Sequence, residues 1–188
     1  MKRTILTVAI TLVVLLVIPL IILSSGIINM AATNSPGKLE TTVATFAVKR
    51  SLAMHAPEKT NPFVDDPQTL STGLDHYRSM CVRCHGAPGV KPEEFARGLN
   101  PPAPELDHAA KEMSDGELFW ITKHGIRMTG MPAFGATHDD DDIWKIVAFV
   151  KQLPNLSDAQ KKKLSNRGGE GHQHGGHGDV TEDKQHEH

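Results

Sequence analysis

The chain has 188 residues, which is enough for one modest domain with extensions at its ends. Its 20 basic and 22 acidic residues give a net charge of −2, so it lacks the positive excess typical of proteins that bind nucleic acid. Aromatic residues make up only 5% of the chain, and we therefore expect its core to be filled mainly by aliphatic side chains.

The N-terminus carries an uncharged apolar run over residues 5–23, preceded by Lys2 and Arg3. This run approaches the ~20 residues that a helix needs to cross a bilayer, and it exceeds the ~7–15 apolar residues usual in a signal peptide. Residues 1–28 are therefore expected to form a single-pass anchor, with a cleaved signal peptide as the alternative. The two basic residues place the N-terminus in the cytoplasm, which puts the rest of the chain on the outer, periplasmic side of the cytoplasmic membrane.

Residues 29–67 are rich in threonine, serine, asparagine and proline. Prolines at this density discourage long regular elements. We expect a flexible tether of about 40 residues, with at most a short helix near residues 42–54.

The compact domain is predicted over residues 68–156, and its first helix over residues 67–82. Leu70, Gly73, Leu74 and Tyr77 recur at helical spacing in this segment. The next motif begins at the C-terminal end of this predicted helix.

That motif is Cys81-Val82-Arg83-Cys84-His85, the C-x-x-C-H pattern of covalent attachment sites for c-type haem. Two thiols at this spacing can bond to the two vinyl groups of one porphyrin, and the adjacent histidine can ligate its iron. The chain has two cysteines, and both lie in the motif. The motif therefore predicts one covalent haem c as the cofactor.

Other interpretations of the cysteine pair are weaker. A structural zinc site needs about four ligands, whereas Cys81, Cys84 and His85 supply three at most. A thioredoxin-like redox pair would lie in a βαβ pattern, and no alternating strand runs surround the motif. A disulfide between the two residues would close only a very short loop.

Residues 86–104 are rich in glycine and proline and predict an irregular loop around the cofactor. A second helix is expected to begin after Ser114, because Ser114 and Glu117 have the spacing of a capping box. Gly125 is placed where a glycine ends a helix.

The segment over residues 130–135, Gly-Met-Pro-Ala-Phe-Gly, contains the best candidate for a sixth iron ligand, Met131. Pro132 and the flanking glycines can form a stiff loop that holds a thioether toward the iron. Met128 is the rival methionine, but no proline follows it. Further candidates, each interpreted more simply as a surface histidine, are His108, His124 and His138.

The last helix of the domain is predicted over residues 139–153. Four aspartates at its start favour the positive end of the helix dipole, and apolar residues recur on one face from Ile143 to Leu153. Ser157 is then expected to cap a short exposed helix within residues 157–166.

Residues 167–188 consist largely of glycine, histidine and acidic residues, and we expect a disordered tail. Its His172, His174 and His177 are candidate ligands for Cu²⁺, Ni²⁺ or Zn²⁺, since imidazole suits all three metals. The alternative is a solvated tail whose histidines bind metals only non-specifically.

Taken together, the C-x-x-C-H motif and the downstream methionine loop resemble the class I cytochrome c family, specifically its membrane-anchored, mono-haem bacterial members. The resemblance covers about half of the chain. It implies an all-α fold of three to five helices around one haem, thioether bonds at Cys81 and Cys84, and axial ligation by His85 and Met131.

The resemblance also implies finer details. The first and last helices should cross at a glycine and an aromatic residue, for which Gly73 and either Phe149 or Trp144 are suitable. A backbone carbonyl within residues 101–104 should hold the imidazole N–H. Trp120 and Arg127 are candidates for contacting the haem propionates.

The function predicted from these features is electron transfer to redox protein partners, and not enzymatic catalysis. A six-coordinate iron has no open position for a substrate, and methionine ligation raises the reduction potential. The carrier could act alone or as a subunit of a respiratory or dehydrogenase complex. The alternative is a haem sensor or haem enzyme with a labile sixth ligand.

Overall fold

The computed structural model describes residues 1–63 and 66–166. Within these two ranges the regular secondary structure is helical, apart from one isolated antiparallel bridge between Ala87 and Val90. The prediction of an all-α fold is confirmed.

The α-helices are numbered in chain order. They are α1 Lys2–Ser24, α2 Lys38–His55, α3 Pro67–His76, α4 Val82–His85, α5 Leu106–Glu112, α6 Asp115–His124, α7 Asp140–Gln152 and α8 Asp158–Ser165. A π-helical turn, Tyr77–Cys81, joins α3 to α4, and short 3₁₀ turns lie at Glu94–Gly98, Phe134–Ala136 and Leu153–Asn155.

Helix α1 is 23 residues long and none of its residues is buried. At 1.5 Å per residue it extends about 35 Å, which is enough to cross the ~30 Å hydrocarbon core of a bilayer. By length and composition it could span a membrane, as a signal sequence near the N-terminus also could. Its exposed apolar surface suits lipid and not water.

Helix α2 has 18 residues, so it begins earlier than the helix expected near residues 42–54 and extends one residue past it. Prolines 36 and 57 lie outside it and so bound the helix without interrupting it. Its C-terminal half packs on the domain, where Leu52 is buried and the His55 ring lies 6.2 Å from that of Trp120. A large part of the segment expected to be a tether is therefore ordered structure.

Helices α3 and α7 cross at Gly73. A Cβ atom added there would overlap the Lys145 carbonyl oxygen and would lie 2.9 Å from the Phe149 Cβ. The Tyr77 ring packs on Phe149 at 5.4 Å, whereas Trp144 stacks on Phe119 at 4.2 Å. The glycine–aromatic crossing implied by the family resemblance is thus formed by Gly73 and Phe149.

Capping residues that are recognisable in the local sequence lie at the ends of helices α6, α7 and α8. Ser114 and Glu117 form the expected capping box at α6, and Gly125 follows its last residue. The Asp139 side chain caps α7 by accepting from the Asp142 N–H. Ser157 caps α8, but this helix is not wholly exposed, because its Leu164 is fully buried in the core.

Candidate functional site

Both cysteines lie on the continuous helical segment formed by α3, the π-helical turn and α4. Cys81 ends the π-helical turn and is 8% exposed, while Cys84 is half-buried; both are free thiols. Burial raises the pKa of the Cys81 thiol to about 12, with a smaller contribution from Cys84. The two free thiols therefore lie three residues apart on one helical segment, the spacing of the C-x-x-C-H attachment motif.

His85 is the last residue of α4, and its Nδ1 lies 2.8 Å from the carbonyl oxygen of Pro104. A carbonyl can only accept, so Nδ1 carries the proton and the Nε2 lone pair is left free. Burial lowers the pKa of His85, and the bond to Pro104 opposes this in part. This is the arrangement of a metal-ligating histidine, whose second nitrogen usually donates to a carbonyl or carboxylate.

The turn after His85 is fixed by two features. Gly86 has φ +63°, and an added Cβ would lie 2.6 Å from the Val90 carbonyl oxygen, so this position needs glycine. The hydroxyl of the fully buried Tyr77 donates to the Gly86 carbonyl oxygen at 2.7 Å. Burial also raises the pKa of this phenol, which keeps it a donor. The chain therefore leaves α4 in one direction, toward the loop that supplies Pro104.

A salt bridge holds the start of that loop against α4. The Arg83 guanidinium contacts both carboxylate oxygens of Glu93 at 3.1 Å, and the Glu93 N–H donates to the Arg83 carbonyl at 2.8 Å. The guanidinium also lies 5.5 Å from the centroid of the Phe95 ring. The Asn100–Pro101 peptide bond further along the loop is cis.

Met131 lies in a loop that folds back onto the end of α6. The Ile126 N–H donates to the Met131 carbonyl at 3.3 Å, and the Met131 N–H donates to the Thr129 hydroxyl at 3.1 Å. Gly125, with φ +65°, permits this return, because an added Cβ would lie 2.7 Å from the Met131 carbonyl oxygen. The glycine that ends α6 therefore also positions the methionine loop.

The structure separates the two candidate methionines. Met131 is half-buried, whereas Met128 has φ +60° and is 82% exposed. A ligand to a partly enclosed iron needs a side chain that is held within the fold, which favours Met131.

The loop over residues 86–104, which supplies Pro104 and is called the histidine-side loop, meets the methionine loop of residues 126–135 at Leu99 and Gly130. A Cβ added at Gly130 would lie 2.6 Å from the Leu99 side chain, so the glycine allows the two loops to pack closely. The segments that carry Pro104 and Met131 are thereby brought together, although they are 27 positions apart in sequence.

The remaining candidates occupy different surroundings. Trp120 is half-buried with its ring 5.1 Å from that of His124, and Arg127 is exposed. His138 packs on His76 at 5.3 Å, while His108 is exposed beside Glu105 and Asp107, three groups that could share a metal ion. The tail histidines, His172, His174 and His177, lie outside the described residues.

Residues 68–150 match a family model described as cytochrome C oxidase, cbb3-type, subunit III. The chain contains a c-type cytochrome domain. The resemblance to c-type cytochromes is thereby confirmed for these residues, and the match supports haem-based electron transfer. No curated protein matches the chain.

The residues of this cytochrome c domain fit a c-type haem. Two free thiols lie three residues apart on one helical segment, the next imidazole has a free Nε2, and a thioether is held in a loop. Thiols, imidazole and thioether are the groups that such a haem uses for attachment and ligation. The family resemblance implied a carbonyl within residues 101–104, and the structure selects Pro104. The second role of Gly125 was not identified from sequence, because it depends on a contact with the methionine loop.

Proposed function

We propose that this protein is a membrane-anchored electron carrier with one haem c, bound covalently by Cys81 and Cys84 and ligated by His85 and Met131. The observation that carries the proposal is the hydrogen bond from His85 Nδ1–H to the Pro104 carbonyl oxygen, which selects the tautomer whose Nε2 is free to bind a metal. The second support is the half-buried Met131 in a loop packed against the histidine-side loop.

The haem supplies a one-electron ferric–ferrous couple, and the chain sets the conditions under which it works. Pro104 orients the imidazole of His85 and increases its basicity as a ligand. Gly125 and Pro132 hold Met131 with little freedom, so that a soft thioether stays available in both oxidation states. A fixed ligand pair limits rearrangement when the charge changes, which suits electron transfer better than substrate binding.

The proposed location is the outer, periplasmic face of the cytoplasmic membrane. Helix α1 is long and apolar enough to span a bilayer, and Lys2 and Arg3 precede its apolar stretch. Because the matching family is described as a subunit of a cytochrome oxidase, we further propose that the domain exchanges electrons within a respiratory complex.

The ligand assignment is tested by the ferric absorption spectrum of the full chain in detergent. Ferric haem with a methionine ligand has a weak charge-transfer band at the red end of the spectrum. We expect Met131→Ala to abolish this band and Met128→Ala, the matched control, to retain it. A Met131→Ala protein that keeps the band would refute the assignment.

Carbon monoxide separates the carrier from a sensor or an enzyme with a labile ligand. The ferrous wild-type protein should bind carbon monoxide weakly, because Met131 occupies the sixth position, and Met131→Ala should bind it readily. Ready binding by the wild type would favour the sensor or enzyme instead.

A further inference from the structure

We propose that α2 is a second membrane contact, lying on the bilayer surface with Leu39, Val43 and Phe46 inserted among the lipids. The proposal rests on the membrane anchoring by α1 proposed above. A membrane contact of α2 would fix the position of the cytochrome c domain relative to the bilayer, and it is independent of the haem ligands.

The surface consists of three large apolar side chains with helical spacing i, i+4 and i+7. Leu39, Val43 and Phe46 are 78%, 58% and 66% exposed. We call these three residues the apolar stripe. Large apolar side chains that are contiguous and exposed mark an interaction site more often than isolated ones do.

The stripe lies on the side of α2 that faces away from the domain. Leu52, which is buried against the domain, follows Val43 by nine residues, or two and a half turns, and so projects from the opposite face. Packing of α2 on the domain therefore leaves the stripe available to another surface.

The residues that connect α1 to α2 keep this surface near the bilayer. Only residues 25–37 separate the two helices, a span of about 45 Å if fully extended. Ile27, Ile28 and Met30 in this connection are also exposed, so apolar exposure continues past the end of α1. At the boundary between head groups and acyl chains, each of these apolar side chains would be removed from water.

Contacts between the connection and the domain shorten its reach further. The Asn100 side chain donates to the carbonyl oxygens of Ala32 and Asn34, at 3.0 and 2.8 Å. The histidine-side loop is therefore tied to the segment that leaves the membrane.

The charge of α2 favours lipid over a protein partner. The helix contains Lys38, Lys49 and Arg50 against a single acidic residue, Glu40. A basic helix with an apolar face is typical of binding to a membrane surface. Arg50 falls one turn after Phe46, in line with the stripe, where its long side chain can reach the head groups while its stem stays in apolar surroundings.

At its other end, α2 leads into a segment that is fixed to the domain. Asn61 is 5% exposed; its side chain donates to the Trp144 carbonyl at 2.7 Å, and its N–H donates to Asp115 at 2.9 Å. Helix α2 is thus both packed on the domain and, by this proposal, inserted in the bilayer surface. The domain would then keep one orientation to the membrane and would not swing on a 40-residue tether.

The test places a polarity-sensitive fluorophore on single introduced cysteines in the full haem-loaded chain. Val43→Cys and Phe46→Cys lie on the stripe, while Thr45→Cys is exposed on a different face at the same level of the helix. The unsubstituted chain measures any labelling of Cys81 and Cys84. The chain is reconstituted in vesicles of phosphatidylcholine and phosphatidylglycerol, with nitroxide-labelled lipids as quenchers.

We expect blue-shifted emission and several-fold stronger lipid quenching at positions 43 and 46 than at position 45. Equal, water-like emission at all three positions would overturn the proposal. Blue-shifted emission without lipid quenching would also overturn it, in favour of a protein partner or a second copy of the chain.

A label at Val13→Cys, in the middle of α1, keeps this proposal separate from the anchoring on which it rests. Quenching at position 13 by a deep nitroxide, combined with no quenching at positions 43 and 46, would refute the α2 proposal alone. No quenching at position 13 would refute the anchor itself.

Discussion

The crossing of α3 and α7 at Gly73 is the contact that holds the cysteine-bearing helix on the core, and Gly73→Ala tests it. An added Cβ would overlap the backbone oxygen of Lys145 and come within 2.9 Å of the Phe149 Cβ. Neither atom belongs to the flexible end of a side chain. The two helices must therefore move apart, and the tight packing of Tyr77 and Phe149 beside them is loosened.

The expected cost follows from two opposing effects. Overpacking of a tight core costs about 1–3 kcal/mol, and the backbone clash favours the upper end of that range. Alanine offsets this by about 1 kcal/mol, because it is a better helix former than glycine. We expect a net loss of about 2 kcal/mol, which lowers the Tm of a domain of this size by about 8–16 °C.

The assay is urea and thermal unfolding of the haem-loaded chain in detergent, followed by circular dichroism and haem absorbance. Gly98→Ala is the matched control, because an added Cβ there meets no atom within 4 Å. It should change stability by no more than about 0.5 kcal/mol. If Gly73→Ala is no more destabilising than Gly98→Ala, the proposed role of the crossing is wrong.

Three further predictions concern the surroundings of the site. Tyr77→Phe should destabilise the domain by about 1–3 kcal/mol in urea titrations, because the buried carbonyl of Gly86 loses its donor. Gly116→Ala should release the docked segment before α3, because its Cβ would overlap the Pro57 carbonyl oxygen; faster proteolysis within residues 52–63 would report this. Hydrogen bonds from Thr69 lower the pKa of Asp66, the cap of α3, so stability should fall as the pH drops from ~4 toward that lowered pKa.

Each of these predictions has an outcome that would contradict it. An unchanged urea midpoint for Tyr77→Phe would mean that the Gly86 carbonyl finds another donor. Unchanged proteolysis of Gly116→Ala would show that the segment is not held at Pro57. Asp66→Asn should retain capping and flatten the acid limb of the stability profile; an unaltered profile would assign that limb to other groups.

Features carried by local sequence were predictable. The capping box of Ser114 and Glu117 forms as expected, and Ser157 caps α8 as expected, through a capping box with Gln160. The end of α6 at Gly125 is also a local signal. The glycine–aromatic crossing came from the family resemblance, which left Phe149 and Trp144 as alternatives; packing in the core selects Phe149.

Features that depend on distant contacts were not predictable. The length of α2 was underestimated, because its threonines and valines favour helices only weakly and its support comes from Leu52 and the docked segment. The short helix α5 was missed because it follows a proline-rich stretch and buries only Ala110. The choice of Pro104 as the partner of His85 required the fold of the whole loop.

The candidate site was predictable in part: its motif is local in sequence, but the choice of its second ligand depends on the fold. The C-x-x-C-H motif specified the cofactor chemistry directly, and the cytochrome c family match agrees with it. Met131 was preferred over Met128 on the proline that follows it and the flanking glycines, and the burial and loop contacts of Met131 support the same choice. Its ligation of iron remains a prediction.

The most direct test of the central claim is the intact mass of the full chain after denaturation and extraction in acidic organic solvent. Covalent attachment at Cys81 and Cys84 predicts the polypeptide mass plus one haem, with the haem absorbance retained by the protein. The bare polypeptide mass, with haem in the extract or absent, would contradict the account.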